Sequence, residues 1–142
     1  MVGLPPTREP AMSVQPDYDG STDYNVLGEL LQPCSENPLT GFFRTGYCAA
    51  GPENAAVHLV CIEVTADFLA YSKTVGNDLT TPRPEFAFPG LVPGIRWCLV
   101  AARWLQAHEA KKAPRIYLNA TNRKVLDLIS FEILKGYALD LN

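Results

Sequence analysis

The sequence lacks long hydrophobic runs, basic blocks and closely spaced cysteine pairs, and each absence excludes a class of protein. No stretch approaches 18 apolar residues, which argues against a transmembrane helix. Residues 1–20 have neither the basic start nor the apolar centre of a secretory signal, so we expect a cytoplasmic protein. The 12 Lys and Arg residues are scattered and are outnumbered by 15 Asp and Glu, which disfavours nucleic-acid and membrane partners.

The composition is that of one globular domain with an acidic extension. The chain has 142 residues, of which 47% are hydrophobic and 19% charged, enough to bury a substantial core. Residues 1–24 carry the whole net charge of −3, together with four prolines and few large apolar side chains. We therefore predict a disordered acidic tail over residues 1–24 and a single domain over residues 25–142.

Regular elements are predicted mainly in the second half of the chain. Residues 57–64 are rich in β-branched side chains and are typical of a strand, and Thr65 is a suitable N-cap for a helix that ends before Gly76. An apolar stripe at helical spacing predicts the longest helix over residues 96–112. Residues 115–120 alternate as in a second strand.

Shorter elements complete the predicted fold. Thr121 and Ser130 are N-cap candidates for two short helices, and residues 42–48 resemble a small hairpin that turns at Thr45-Gly46. The elements together predict an α+β fold, in which three to four helices pack on a small mixed sheet that includes a hairpin, connected by long irregular loops.

Two irregular segments indicate where function would lie. Residues 25–51 and residues 77–94 have no consistent periodicity, and the second segment holds four prolines. Loops that a rigid scaffold positions commonly carry binding residues. Polar side chains on or beside these segments are the predicted ligand-binding residues, and the arginines among them suit a carboxylate or phosphate: Arg44, Asn77, Asp78, Arg83 and Arg96.

Besides these ligand-binding residues, the cysteines are candidates for a catalytic nucleophile or a redox pair. Without an export signal we expect free thiols. Cys34 lies in a loop and Cys48 follows the predicted hairpin, close in sequence to Arg44, whose charge would stabilise a thiolate. Cys34 and Cys48 are therefore the candidate catalytic residues, with burial as structural cysteines the alternative for each.

A zinc site is the remaining chemical alternative. The four cysteines and His58 supply enough ligands for tetrahedral zinc. However, there is no C-x-x-C motif, and His58 and Cys61 would point to opposite faces of a strand. We therefore assign no metal ligand from the sequence, and no cofactor is indicated.

Several motifs together resemble one protein family. NVLGELLQPCSENPLTGFFRTGYC, GNDLTTPRPEFAFPGL and PGIRWCLVAARWL, in this order, are similar to the largely bacterial family known as domain of unknown function 2237. The resemblance spans residues 25–137 and implies a compact single domain but no activity. The chain departs from the family pattern at Ile95, where an acid is usual, and at Val100, where a second cysteine is usual.

The sequence thus predicts a small-molecule-binding protein or enzyme whose pocket lies between residues 25–51 and 77–94. The expected ligand is anionic, and Cys34 or Cys48 is the candidate reactive group. The alternatives are a non-enzymatic interaction or structural module and a zinc-binding domain. The sequence does not indicate an oligomeric state.

Overall fold

Two antiparallel strands lie at the centre of the fold. The computed structural model describes residues 18–51 and 57–141, and in these residues strand β1 (His58–Glu63) pairs with strand β2 (Arg96–Val100). Cys61 lies opposite Cys98 and Ile62 opposite Trp97, with an irregularity between His58 and Val60. Helices α1 (Ala66–Thr74), α2 (Ala101–Glu109) and α3 (Phe131–Lys135) complete the α+β fold that the sequence predicts.

The predicted helix over residues 96–112 is correct only in its second part. Residues 96–100 form β2, and α2 starts at Ala101. The apolar run Trp97–Leu99 is buried in the strand pairing with β1, and this tertiary contact outweighs its helical periodicity. In α2 the apolar stripe faces the core, as expected. Trp104 is fully buried, and its ring stacks on that of His108 with the centroids 5.6 Å apart.

Local capping explains the helices that were predicted well. Thr65 Oγ1 accepts a hydrogen bond from the Phe68 amide at the start of α1, and Gly76 follows its end with a φ of 88°. Ser130 caps α3 in the same way. The cap predicted at Thr121 is instead Asn122, which begins a 3-10 helix over Arg123–Asp127.

Two predicted β elements do not form. Residues 42–48 make turns rather than a hairpin, because both Arg44 and Gly46 have left-handed backbones, with φ of 55° and 93°. In the predicted strand over residues 115–120, Ile116 forms a single antiparallel bridge to Ile62, and a 3-10 helix follows at Leu118–Ala120. The sheet is therefore two-stranded and antiparallel within the described residues.

Residues 18–24, assigned to the tail from the sequence, make contacts with the domain. The Tyr18 hydroxyl donates to Asp23 and accepts from the amide of Gly51. Burial of the hydroxyl raises the pKa of Tyr18 to about 12. The remainder of the predicted tail, residues 1–17, lies outside the described residues.

A buried asparagine organises the start of the first irregular segment. The Asn25 side chain donates to the carbonyls of Leu30 and Asn119 and accepts from the amides of Leu27 and Glu29. Its polar groups thus replace the regular hydrogen bonds that this segment lacks. None of the helices in residues 18–51 and 57–141 combines the length and hydrophobicity needed to cross a membrane.

All four cysteines form disulfides, which corrects the expectation of free thiols. Cys34 is bonded to Cys61 and Cys48 to Cys98. Since Cys61 and Cys98 are cross-strand neighbours, both bonds attach the segment 25–51 to one area of the sheet. The four residues are almost fully buried and form a small core with Ala120 and Tyr117, separate from the main apolar core between the strands and the helices.

Removing either disulfide is expected to destabilise the protein strongly. The bonds span 27 and 50 residues, for which the chain-entropy relation gives about 3.5 and about 4 kcal/mol. The double variants C34A/C61A and C48A/C98A should therefore each lose roughly 3 to 4 kcal/mol of unfolding free energy in urea titrations.

Thiol titration provides the control for these variants. Unfolded, unreduced protein should release no thiol, whereas prior reduction should expose all four. Four reactive thiols without reduction, or an unfolding midpoint unaffected by reductant, would contradict the disulfide assignment.

Candidate functional site

A cleft of about 310 Å³ opens between the two irregular segments and one end of the sheet. Its polar lining consists of Arg44 from residues 25–51, His58 from β1, and Asn77, Asp78 and Arg83 from residues 77–94. Its walls are apolar and mostly aromatic: Leu79, Phe86, Phe88, Trp97 and Leu99. Four of the five ligand-binding residues predicted from the sequence thus lie together.

Arg44 connects the two irregular segments. Its guanidinium donates to the carbonyl of Gly41 in its own turn and to the carbonyls of Phe86 and Ala87 in the other segment, at 2.9 and 3.3 Å. The guanidinium also lies over the Trp97 ring, 5.2 Å from the centroid, as in a cation–π contact. Three of its five N–H donors are engaged in this way, so two remain for a ligand.

Arg83 is presented at the rim of the cleft by a tight turn. Its amide donates to the Phe88 carbonyl at 2.8 Å, and the Phe88 amide donates back to the Arg83 carbonyl at 3.0 Å. Ala87, within this turn, has a left-handed backbone with a φ of 52°. The Arg83 side chain is exposed and has no hydrogen bond to the described residues, so its charge faces solvent at the opening.

Asp78 shapes the loop instead of offering a free acceptor. Its carboxylate accepts from the Thr80 amide and from the hydroxyls of Thr80 and Thr81, at 2.7 to 2.9 Å. The Thr81 and Thr80 hydroxyls hold the pKa of Asp78 well below its usual range. Its negative charge is therefore permanent but is compensated by three donors.

His58 differs from Arg83 in that its unpaired polar atom is buried. Its Nδ1 atom is buried and finds no hydrogen-bond partner in residues 18–51 and 57–141. Burial, followed by the positive charge of Arg44, lowers the pKa of the imidazole. At pH 7 the cleft therefore contains a neutral imidazole close to a guanidinium.

The other predicted site residues lie elsewhere. Arg96 stacks on the Tyr117 ring at 3.8 Å from its centroid, outside the lining of the cleft. Cys34 and Cys48 were predicted as nucleophiles, but both are buried in disulfides and neither is a free thiol. A cysteine without a thiolate cannot attack a substrate, so that prediction is corrected. The cysteine in the wall of the cleft is Cys98.

A larger depression of about 670 Å³ lies beside Asp23 and Asn122 and reaches Gly51, the last described residue before 52–56. Its central polar groups bind one another. Asp23 accepts from the hydroxyl of Tyr18, the amide of Ala50 and the side chain of Asn122. Since these groups are already paired, the cleft at Arg44 is the better candidate site.

Sequence reasoning missed the residues that the unexpected strand β2 contributes. Trp97 is buried in the core as the apolar stripe predicts, but it lies on a strand instead of a helix, and its ring also contacts Arg44. The sequence indicates His58 only as a possible metal ligand. The irregularity in β1 directly after His58 gave no sequence signal, because it depends on the pairing with Val100 and Leu99.

Comparison with known proteins identifies the family. The family model described as "Uncharacterized protein conserved in bacteria (DUF2237)" matches residues 24–138, and the chain belongs to this family. A search of curated proteins finds no match. The family departure at Ile95 does not remove a helix cap, because the residues that follow it form β2 rather than a helix.

His58→Gln is expected to remove a pH dependence of stability. Because the pKa of folded His58 is lowered, the unfolded chain binds the proton more readily, so stability is complete above the unfolded value of about 6.5 and falls as the pH drops below it. Urea unfolding of wild type and H58Q between about pH 7.5 and pH 5 measures the difference. Identical pH profiles for the two proteins would show that His58 does not titrate as stated.

Proposed function

We propose that this member of the DUF2237 family binds a small molecule with a carboxylate or phosphate group in the cleft beside Arg44 and His58. The observation that carries the proposal is a buried imidazole nitrogen without a partner in the described residues, close to a guanidinium that has donors to spare. A buried polar atom without a partner is costly, and such exceptions are found at functional sites.

The charges in the cleft favour an anion. Arg44 lies inside and Arg83 at the rim, so an entering anion meets two guanidinium groups in sequence. The one carboxylate of the lining, Asp78, is already held by three donors. Planar guanidinium groups suit carboxylates and phosphates because they donate two parallel hydrogen bonds.

The apolar walls of the cleft indicate the chemical character of the rest of the ligand. The Trp97 and Phe88 rings meet edge to face with centroids 5.3 Å apart, and Phe86 is 65% exposed at the opening. A volume of about 310 Å³ is at the lower end of the range for small-molecule sites. These features support a compact ligand that combines an anionic group with an apolar or aromatic part.

Whether the bound molecule is also converted depends on His58. A neutral imidazole with a lowered pKa is suited to accept a proton from a ligand held by Arg44. The competing proposal is a non-enzymatic interaction module in which Arg44 only fastens the loop. The cytoplasmic location expected from the sequence stays a prediction, and the two disulfides weigh against it.

Titration with phosphate, acetate and benzoate tests the proposal. The two tryptophans give separate indole N–H signals in NMR spectra, and Trp97 should shift on binding while the deeply buried Trp104 serves as an internal control. Benzoate should bind more tightly than acetate, because it adds contacts with the aromatic walls. Binding of benzoate should strengthen as the pH falls through the pKa of His58, since the anion favours the imidazolium.

Arginine variants locate the binding. Arg83→Gln should weaken benzoate binding by roughly tenfold, the value of one hydrogen bond to a charged group. Arg115→Gln removes an equal charge from an exposed residue outside the cleft and should leave the affinity unchanged. Equal loss in both variants, or a shift of neither indole with any anion, would overturn the proposal and favour the interaction module.

A further inference from the structure

We propose that the four buried cysteines form a metal site in the reduced protein, a closed tetrathiolate that binds Zn²⁺. The site shares Cys98 with the wall of the anion cleft but does not depend on the function proposed for the cleft. It would exist when both disulfides are reduced, and the two disulfides would replace it in the oxidised protein. The fold holds the four sulfur atoms close together.

The sulfur positions are close to those that zinc requires. The Sγ atoms of Cys34, Cys48 and Cys61 all lie within 4.8 Å of one another, and Cys98 Sγ is bonded to that of Cys48. Zinc–sulfur bonds of about 2.3 Å place the sulfur atoms of a tetrahedral site about 3.8 Å apart. Breaking the two disulfides lets each bonded pair separate to this distance by side-chain rotation.

Backbone contacts hold the cysteines in place without the disulfide bonds. Cys61 and Cys98 are fixed opposite each other by the strand pairing. Their amides donate to the hydroxyls of Thr121 and Thr40, at 3.2 and 2.8 Å. These contacts would persist after reduction and keep two of the four ligands preorganised.

The segment that carries Cys34 and Cys48 is also held by a backbone hydrogen bond. The Cys34 amide donates to the carbonyl of Gly46 at 2.8 Å, which brings Cys34 next to the residues before Cys48. Both segments are thus positioned by hydrogen bonds as well as by disulfides. The missing C-x-x-C spacing is no obstacle, because the fold and not a single knuckle gathers the ligands.

The surroundings suit a structural site with a negative charge. The cysteines are at most 3% exposed, which excludes water as a ligand and fits a closed coordination shell. Tyr117 packs against the cluster, and the Arg96 guanidinium lies over its ring. This cation would partly compensate the two negative charges of a zinc tetrathiolate.

The disulfide form becomes the zinc-bound form by reduction followed by metal binding. A dithiol reductant supplies two electrons to each disulfide, two protons are taken up, and the reductant itself leaves as a disulfide. The four thiols then bind one Zn²⁺ and release four protons, which leaves the site with a net charge of −2. A disulfide oxidant would reverse the change: it accepts two electrons for each protein disulfide that forms and leaves as a dithiol, and the Zn²⁺ is released.

Metal titration of the reduced protein tests the proposal. The protein is reduced with a phosphine under anaerobic conditions, freed of metal, and titrated with Zn²⁺ and separately with Co²⁺. We expect one Zn²⁺ per chain by native mass spectrometry, a higher unfolding midpoint on zinc addition, and the absorption bands of tetrahedral cobalt thiolate. Oxidised protein, treated identically, should bind neither ion.

Two variants distinguish this site from other ligands. Cys98→Ser should lower zinc affinity by more than about 100-fold, because loss of a direct ligand exceeds the effect of outer-shell changes. His108→Gln, which changes the histidine stacked on Trp104 outside the cluster, should leave the zinc affinity unchanged. Folding of C98S is not required, since reduced wild type that takes up no zinc, or cobalt spectra without thiolate bands, would by itself overturn the proposal.

Discussion

The attachment of residues 25–51 to the two strands is the constraint on which the rest of the structure depends. Two strands alone are marginally stable in water, and the sheet in the described residues consists of two strands. The disulfides Cys34–Cys61 and Cys48–Cys98 join that segment to neighbouring positions of both strands. Two cross-links at adjacent points fix the orientation of the segment as well as its position.

The cleft follows from this attachment. Cys48 lies four residues after Arg44, and its bond to Cys98 holds this part of the segment beside β2, where the Arg44 guanidinium lies over the Trp97 ring. From there Arg44 reaches the carbonyls of Phe86 and Ala87 and holds the proline-rich loop against the sheet. The cross-link, the cation–π contact and the two hydrogen bonds of Arg44 together hold the loop in position, and Arg44 would also serve the binding proposed for the cleft.

The sequence predicts those features that short segments determine by themselves. Thr65 and Ser130 cap their helices by hydrogen bonds to amides three residues further along the chain. Because these contacts are local, the sequence alone predicts α1 and α3. Residues 96–100 were misassigned because an apolar run fits helix and strand alike, and pairing with β1 decides between them. The disulfides were missed because they depend on the folded arrangement and because the expected compartment argued against them. At the candidate site, the lack of periodicity in residues 25–51 and 77–94 indicates Arg44 and Arg83 as binding residues. The pairing of β1 with β2 places His58 and Trp97 beside them, and no short segment of sequence predicts that pairing.

Cys98 connects the two sites, since it belongs to the cysteine cluster and to the wall of the cleft. In the disulfide state the cluster is uncharged, and Arg44 can offer its charge to an anion in the cleft. A zinc tetrathiolate would carry two negative charges behind the same wall, where burial weakens the screening by solvent. The field of that site would oppose an anion beside Arg44 and raise the pKa of His58. The two proposals therefore constrain each other: if both hold, the oxidised protein is the form that binds the anion more tightly.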